Sequence, residues 1–241
     1  MVFEKTYFPK RRVEDSTRFS QHALMKCVVT TGPTFETLDQ ARRLTNFSTG
    51  RLGTELANSL TSRGHEVTLL RGEQSTYPGS PNVARVEHFT TTRDLSAKLQ
   101  SLAPQNIEAV FHAAAVSDFM FGKVWSREAS GELIEITSGK FSTRAGTLLA
   151  ELVPTPKVIS SLRDWFPTAR LVGWKYEVDG DRASVLKLAQ EQLCACRTDA
   201  CVANGPAYGK TFGILTSDGK LTEARGSAEL FAALEQFILR R

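Results

Sequence analysis

The run Cys27-Val28-Val29-Thr30-Thr31 is apolar and β-branched, and it stops at Gly32-Pro33. A run of this kind, bounded by a turn signal, reads as a buried strand. A polar loop rich in Thr, Glu, Asp and Arg then leads through Asn46-Phe47-Ser48-Thr49-Gly50 into a segment with Leu52, Leu56 and Leu60 at helical spacing. A strand, then a loop, then a helix that starts at glycine is the arrangement that presents free backbone N–H groups to a phosphate. The loop over 32–49 far exceeds the ~2–6 residues usual between a strand and a helix, which points to function rather than connection.

The pattern continues down the chain. Arg63-Gly64-His65 ends the first helix with a glycine stop, and Glu66-Val67-Thr68-Leu69-Leu70 is a second strand. A short strand over 83–89 and a helix over 94–102 follow, then a strand over 107–112 that runs into Ala113-Ala114-Ala115-Val116-Ser117-Asp118. Strands alternating with helices predict parallel β-α units. The fold class is therefore α/β, a three-layer Rossmann-like doubly wound and mostly parallel sheet. Such sheets bind ligands beyond the carboxyl ends of their strands, at the topological switch point, where both the long loop and the alanine turn fall. The alanines leave room for a ligand against the backbone. Asp118 is either a carboxylate for that ligand or the N-cap of a following helix, and the residues leave both open.

Residues 119–152 break the pattern with Gly122, Gly131, Gly139 and Gly146, several charges and a β-alternating piece over 132–137. They read as a protruding flap or lid carrying Lys140 and Arg144. Beyond it, a helix over 157–165, a strand at Leu171-Val172-Gly173-Trp174, a helix over 181–194 and a strand at Ala200-Cys201-Val202-Ala203-Asn204 resume the alternation. Strands over 212–216 and 221–223 flank Ser217-Asp218-Gly219-Lys220 as a hairpin, and an amphipathic helix over 227–239 closes the chain. No repeat or linker interrupts this, so residues 26–241 read as one α/β domain with its flap at about 119–152. Residues 1–25, with Lys10-Arg11-Arg12, read as a solvated N-terminal arm.

Composition removes several function classes. With 30 basic residues against 26 acidic ones, the charge suits a small anionic substrate but is too dispersed for a nucleic-acid surface. No apolar run reaches the ~18 residues of a membrane span, and no signal sequence opens the chain. Cys27, Cys194, Cys196 and Cys201 lack zinc-ribbon spacing, which suits reduced thiols in a cytoplasmic protein. A dinucleotide oxidoreductase would need G-x-G-x-x-G after the first strand, but Pro33 follows Gly32 and no second glycine comes. Gly205-Pro206-Ala207-Tyr208-Gly209-Lys210-Thr211 falls one residue short of a P-loop and leads into a strand-like run. Nucleophile-elbow and H-E-x-x-H patterns are missing.

With these residues in view, the chain resembles the phosphopantothenate–cysteine ligase (phosphopantothenoylcysteine synthetase) family. The family's T-x-G-x-T-x-E-x-x-D matches Thr30-Thr31-Gly32-Pro33-Thr34-Phe35-Glu36-Thr37-Leu38-Asp39. Its R-x-x-x-N-x-S-[ST]-G-[KR]-x-G matches Arg42, Asn46, Ser48, Thr49, Gly50, Arg51 and Gly53, and its A-A-V-[AS]-D-[YF] matches Ala114 to Phe119. V-G-F-x-x-E looks like Val172-Gly173-Trp174-Lys175-Tyr176-Glu177. V-A-N-D looks like Val202-Ala203-Asn204-Gly205, with glycine in place of the aspartate. Family members are often fused behind a flavin-dependent decarboxylase; no such part is present here, so a stand-alone form is expected.

The resemblance implies a ligase of coenzyme A biosynthesis. It would activate the carboxylate of 4'-phosphopantothenate as an acyl nucleotidylate, using CTP or ATP with Mg²⁺, and couple it to L-cysteine. Carried over position by position, Gly32, Ser48, Gly50 and Gly53 would cradle the triphosphate. Trp174 would pack on the base or ribose, and Asn204 would bond the nucleotide. Asn46 would hold the substrate carboxyl and the acyl intermediate. Ala114, Ala115 and Asp118 would line the pantothenate arm. Arg42 would reach across a homodimer to the other subunit's substrate phosphate, and Lys140 would close over the intermediate. No metal ligand is assigned. The competing class is a non-catalytic nucleotide-binding or regulatory protein on the same scaffold.

Overall fold

The structure is a computed structural model and describes residues 24–137, 139–142 and 146–240. The expected N-terminal arm and Arg144 lie outside the described residues, save Leu24 and Met25 of the arm. Strand β1 (Lys26–Thr31) has a side chain buried at every position after the first, as its apolar pattern demands. It pairs in parallel with β4 (Glu66–Gly72) on one side and with β6 (Ala109–His112) on the other. β5 (Arg85–Phe89) extends the sheet beyond β4. β10 (Arg170–Tyr176) and β11 (Ala200–Asn204) extend it beyond β6, also in parallel. β12 (Phe212–Thr216) and β13 (Leu221–Ala224) add an antiparallel hairpin edge. The order β13-β12-β11-β10-β6-β1-β4-β5 makes the chain grow from β1 one way to β5 and then return to β6. The switch point is therefore the crevice between β1 and β6.

Alternation along the strands divides the core into two faces. Cys27 and Val29 of β1 face helices α1 (Arg51–Ser62) and α5 (Ser227–Leu239), packing with Leu56, Leu60, Leu230 and Leu234. Val28 faces the other way, against Leu95 and Leu99 of α2 (Thr92–Leu102) and Leu162 of α3 (Val158–Trp165). Helix α4 (Arg182–Cys196) covers Cys201 and Ala203 of β11 on that second face. The three-layer α/β expectation is borne out. All four cysteines are free, and burial pushes the Cys27 and Cys201 thiols up to about 12, so neither is a nucleophile near neutrality.

Three local features differ from the sequence reading. The long loop folds into a small antiparallel hairpin, β2 (Phe35–Thr37) with β3 (Arg43–Thr45), whose strands are too short and polar to leave a periodic signal. No helix follows Asp118, so it is not an N-cap: β7 (Phe119–Arg127) begins at the next residue. β7 pairs with β8 (Leu133–Glu135) and with β9 (Thr147–Pro154), making the flap a three-stranded antiparallel sheet. The strand β9 was hidden because both its faces are largely exposed, which removes the apolar alternation.

Candidate active site

A cleft of about 260 Å³ sits at the switch point. Thr31 ends β1, Ala113 follows β6, residues 48–53 form the entry to α1, and Asn204 and Phe212 close the far side. The helix start explains why it is glycine-rich. Gly50 is the N-cap of α1 at φ +80, a left-handed conformation that favours glycine, and no side chain caps it. Arg51 N donates to Thr49 Oγ1 at 3.3 Å, and the next orphan N–H groups of the first turn remain for a ligand, reinforced by the positive end of the helix dipole. Gly53 allows the helix to lie on β1, because a Cβ there would fall 2.5 Å from Thr31 Oγ1. Thr31 in turn donates to the Gly50 carbonyl at 2.8 Å, fixing the entry turn.

Ser48, Gly50, Gly53 and Asn204 thus line one cleft. Asn204 Oδ1 is buried and accepts no hydrogen bond. A buried acceptor left unpaired costs about 1–3 kcal/mol, so the cleft favours a ligand that donates to it. Gly32 lies beneath the cleft wall rather than in it, close against Ser75. Its carbonyl accepts from Ala115 N at 2.9 Å, and Thr34 N donates back to the Ala115 carbonyl at 3.1 Å. Trp174 also stands back from the wall, packed on the core with its indole N–H buried and unpartnered. Thr49, Arg51, Leu52 and Phe212 complete the wall; no sequence signal marks Phe212, which is remote from the loop and joins the site only through the sheet order.

A second group gathers beside the alanine turn. Asn46 Nδ2 donates to the Ala115 carbonyl at 3.2 Å, bringing Asn46 onto the segment that holds Ala114 and Ala115. Thr34 Oγ1 accepts from Ser117 N at 2.8 Å and secures the turn from below. Asp118 follows at the foot of the flap, exposed, with its carbonyl accepting from Thr155 N at 2.9 Å.

Arg42 and Lys140 belong to a third group. Arg42 Nη1 donates to Asp39 Oδ2 at 2.6 Å, and both Nη atoms reach the carbonyl of Phe141 at 3.3 Å. Burial of Asp39 raises its carboxyl, but backbone N–H groups of Ala41, Phe141 and Arg42 and the Arg42 charge outweigh this and hold it below the ordinary carboxylate range. Lys140 is exposed and sits immediately before Phe141. No group of three or more metal-ligating side chains occurs among the described residues.

Below the cleft, His112 is fully enclosed and Thr30 Oγ1 lies 2.9 Å from its Nδ1. Burial pushes its pKa down to about 4. The unfolded chain then binds more protons than the folded one between pH ~6.5 and ~4, so stability is full above ~6.5 and falls with pH through that window. Urea denaturation at pH 7 and pH 4.5 should show a loss of up to about 3 kcal/mol from this group, and His112→Gln should flatten that slope. An unchanged slope in the variant would remove His112 from the account.

The chain matches the model of one protein family, "DNA/pantothenate metabolism flavoprotein C-terminal domain", over residues 23–236. It is 34% identical over 179 residues to the coenzyme A biosynthesis bifunctional protein CoaBC of Thermococcus kodakarensis, covering 74% of this chain and 41% of that protein. The chain spans about two fifths of the length of the first curated relatives it matches. Among solved structures, the DNA/pantothenate metabolism flavoprotein from Streptococcus pneumoniae superposes with a TM-score of 0.76 at 27% identity, over 89% of this chain and 98% of that one. A Cab2 variant in complex with phosphopantothenate-cysteine shares the fold, with a TM-score of 0.67 at 19% identity over 89% and 87% of the two chains. The matched span takes in every motif on which the resemblance rested, and the chain belongs to this family of DNA/pantothenate metabolism flavoprotein C-terminal domains.

Proposed function

We propose that the chain is a phosphopantothenate–cysteine ligase of coenzyme A biosynthesis. The observation that carries this reading is the pairing of an uncapped, glycine-lined helix start and the unpaired Asn204 acceptor with Asn46 on the neighbouring alanine turn. One half of that arrangement suits a nucleoside triphosphate. The other suits an acyl group presented to its α-phosphorus.

A carboxylate is a poor electrophile and must first gain a leaving group. A carboxylate oxygen of 4'-phosphopantothenate attacks the α-phosphorus of CTP or ATP, pyrophosphate leaves, and an acyl nucleotidylate forms. The amine of L-cysteine then attacks the acyl carbon, and the nucleoside monophosphate departs with the former carboxylate oxygen. Chemistry of this kind needs positioning and charge neutralisation more than covalent help. The N–H groups of α1 with Ser48, Gly50 and Gly53 cradle the phosphates, while Gly32 supports them from beneath. Asn204 accepts from the nucleotide, and Trp174 backs the base or ribose. Asn46 orients the acyl group between Ala114, Ala115 and Asp118, and Lys140 neutralises charge on the phosphoryl group being transferred. Mg²⁺ bound with the triphosphate would supply charge neutralisation there, and no side chain of the chain is assigned to hold it.

The assembly is a homodimer in which Arg42 serves the neighbouring subunit's substrate phosphate. Supporting it, Leu44 in the hairpin, Phe47 just beyond it and Phe119, Met120, Leu133 and Ile134 on the flap leave large apolar side chains exposed. Free cysteines suit a cytoplasmic setting. In an assay of pyrophosphate release, turnover is expected only with phosphopantothenate, L-cysteine and Mg²⁺ together, with CTP and ATP run in parallel. No release with either nucleotide would overturn the reading.

A further inference from the structure

We infer that Asp39 is a positioning residue that holds the backbone on both sides of Lys140 and so sets where its side chain works. The inference rests on the ligase reading only for its kinetic consequence. Asp39 sits in the turn that joins β2 to β3, and its side chain is fully buried although it ends in a charge. Every donor around it has a purpose. Oδ1 accepts from the backbone N–H groups of Ala41 and Arg42, both at 2.8 Å, which closes the turn on itself. Oδ2 accepts from Arg42 Nη1 at 2.6 Å and from Phe141 N at 3.1 Å, a residue 102 positions away on the flap.

Three further bonds complete the grip. The Phe141 carbonyl accepts from the Arg42 guanidinium, and Gln40 N donates to the Gly139 carbonyl at 3.0 Å. Residue 139 is thus held by the turn on one side of Lys140 and residue 141 on the other. The Phe141 side chain is itself buried, at 6% exposure, and anchors the same place by packing. A buried carboxylate is expensive to desolvate and persists only where its bonds are needed. Here half of its bonds leave the turn or serve the residue that does. A turn concerned only with its own closure would use Oδ1 alone.

The test is Asp39→Asn. The amide keeps one oxygen for Ala41 and Arg42, so the turn persists, but its NH₂ cannot accept from Phe141 N or Arg42 Nη1. Hydrogen exchange at the Phe141 amide is expected to quicken at least about tenfold, while protection in β1 and β6 of the same sample stays unchanged and reports the intact fold. Turnover should fall about 10–100-fold with the KM for nucleotide within about twofold of wild type, as for a misplaced catalytic group. On a Lys140→Ala background the same substitution should cost nothing further in turnover at saturating phosphopantothenate, because there both act through one cation and any release of Arg42 shows only in the KM for that substrate. Unchanged exchange at Phe141 would overturn the inference, and so would multiplicative losses in the double variant. A wild-type protein without turnover would overturn the ligase reading instead, leaving the exchange measurement to judge the clamp.

Discussion

Lys140→Ala lowers turnover about 100–1,000-fold and leaves the thermal midpoint within about 1 °C of wild type. The first figure is what loss of a single preorganised charge at a transition state typically costs. Pentavalent phosphorus gathers negative charge on its oxygens as the carboxylate attacks, and pyrophosphate leaves carrying more. A cation that is in place beforehand needs no rearrangement at that moment, and the bonds at residues 139 and 141 supply the placement. The second figure follows from exposure, since the polar contacts of an exposed side chain typically contribute only about 0.5 kcal/mol. Steady-state kinetics with saturating phosphopantothenate and cysteine measures the loss. A kcat within threefold of wild type would show that Lys140 does not act on the phosphoryl group.

Gly205→Asp is expected to lower the melting midpoint by roughly 5–15 °C and to weaken nucleotide binding along with it. Family members carry aspartate at the matching place, so on sequence alone the change looks like a restoration. The structure argues the reverse. Gly205 lies at φ +110, and a Cβ there would fall 2.3 Å from the Glu177 carbonyl oxygen and 2.8 Å from its nitrogen. Those are backbone atoms that cannot turn aside, since Glu177 N donates to the Asn204 carbonyl at 3.1 Å and Ala207 N to the Glu177 carbonyl at 3.2 Å. The left-handed conformation costs ~1–2 kcal/mol for a side-chain-bearing residue and the overpacking ~1–3 kcal/mol more, about 2–5 kcal/mol together. Any relief must come from moving the ends of β10 and β11, and Asn204 sits at that end of β11. Differential scanning calorimetry of both forms decides it. A midpoint lowered by less than 2 °C would mean that this chain accepts the family's aspartate.

How much of this was legible beforehand depended on periodicity and on sequence distance. Strands such as Ala200–Asn204 and the helix Ser227–Leu239 stood out at their observed bounds because burial writes a repeating pattern into them. The glycine-led helix start at residues 48–53 was legible because strand, loop and helix are contiguous. Phe212 could not be placed, because only the antiparallel pairing of β12 on β11 carries it to the cleft. Strand β9 was obscured by its exposure on both faces. Asp39 was visible as a motif residue, but its work was not: Phe141 lies about a hundred residues on, and a backbone amide leaves no mark in sequence. Trp174 was likewise visible as a motif residue, while its packing against the core depends on the sheet around β10.

Activation of the carboxylate through the α-phosphorus is the centre of this account, and isotope transfer tests it. Phosphopantothenate labelled with ¹⁸O in its carboxylate is turned over with L-cysteine, Mg²⁺ and the preferred nucleotide, and the products are read by mass spectrometry. One labelled oxygen is expected in the phosphate of the nucleoside monophosphate and none in pyrophosphate or inorganic phosphate. Label in inorganic phosphate, or product formed with unlabelled monophosphate, would contradict it.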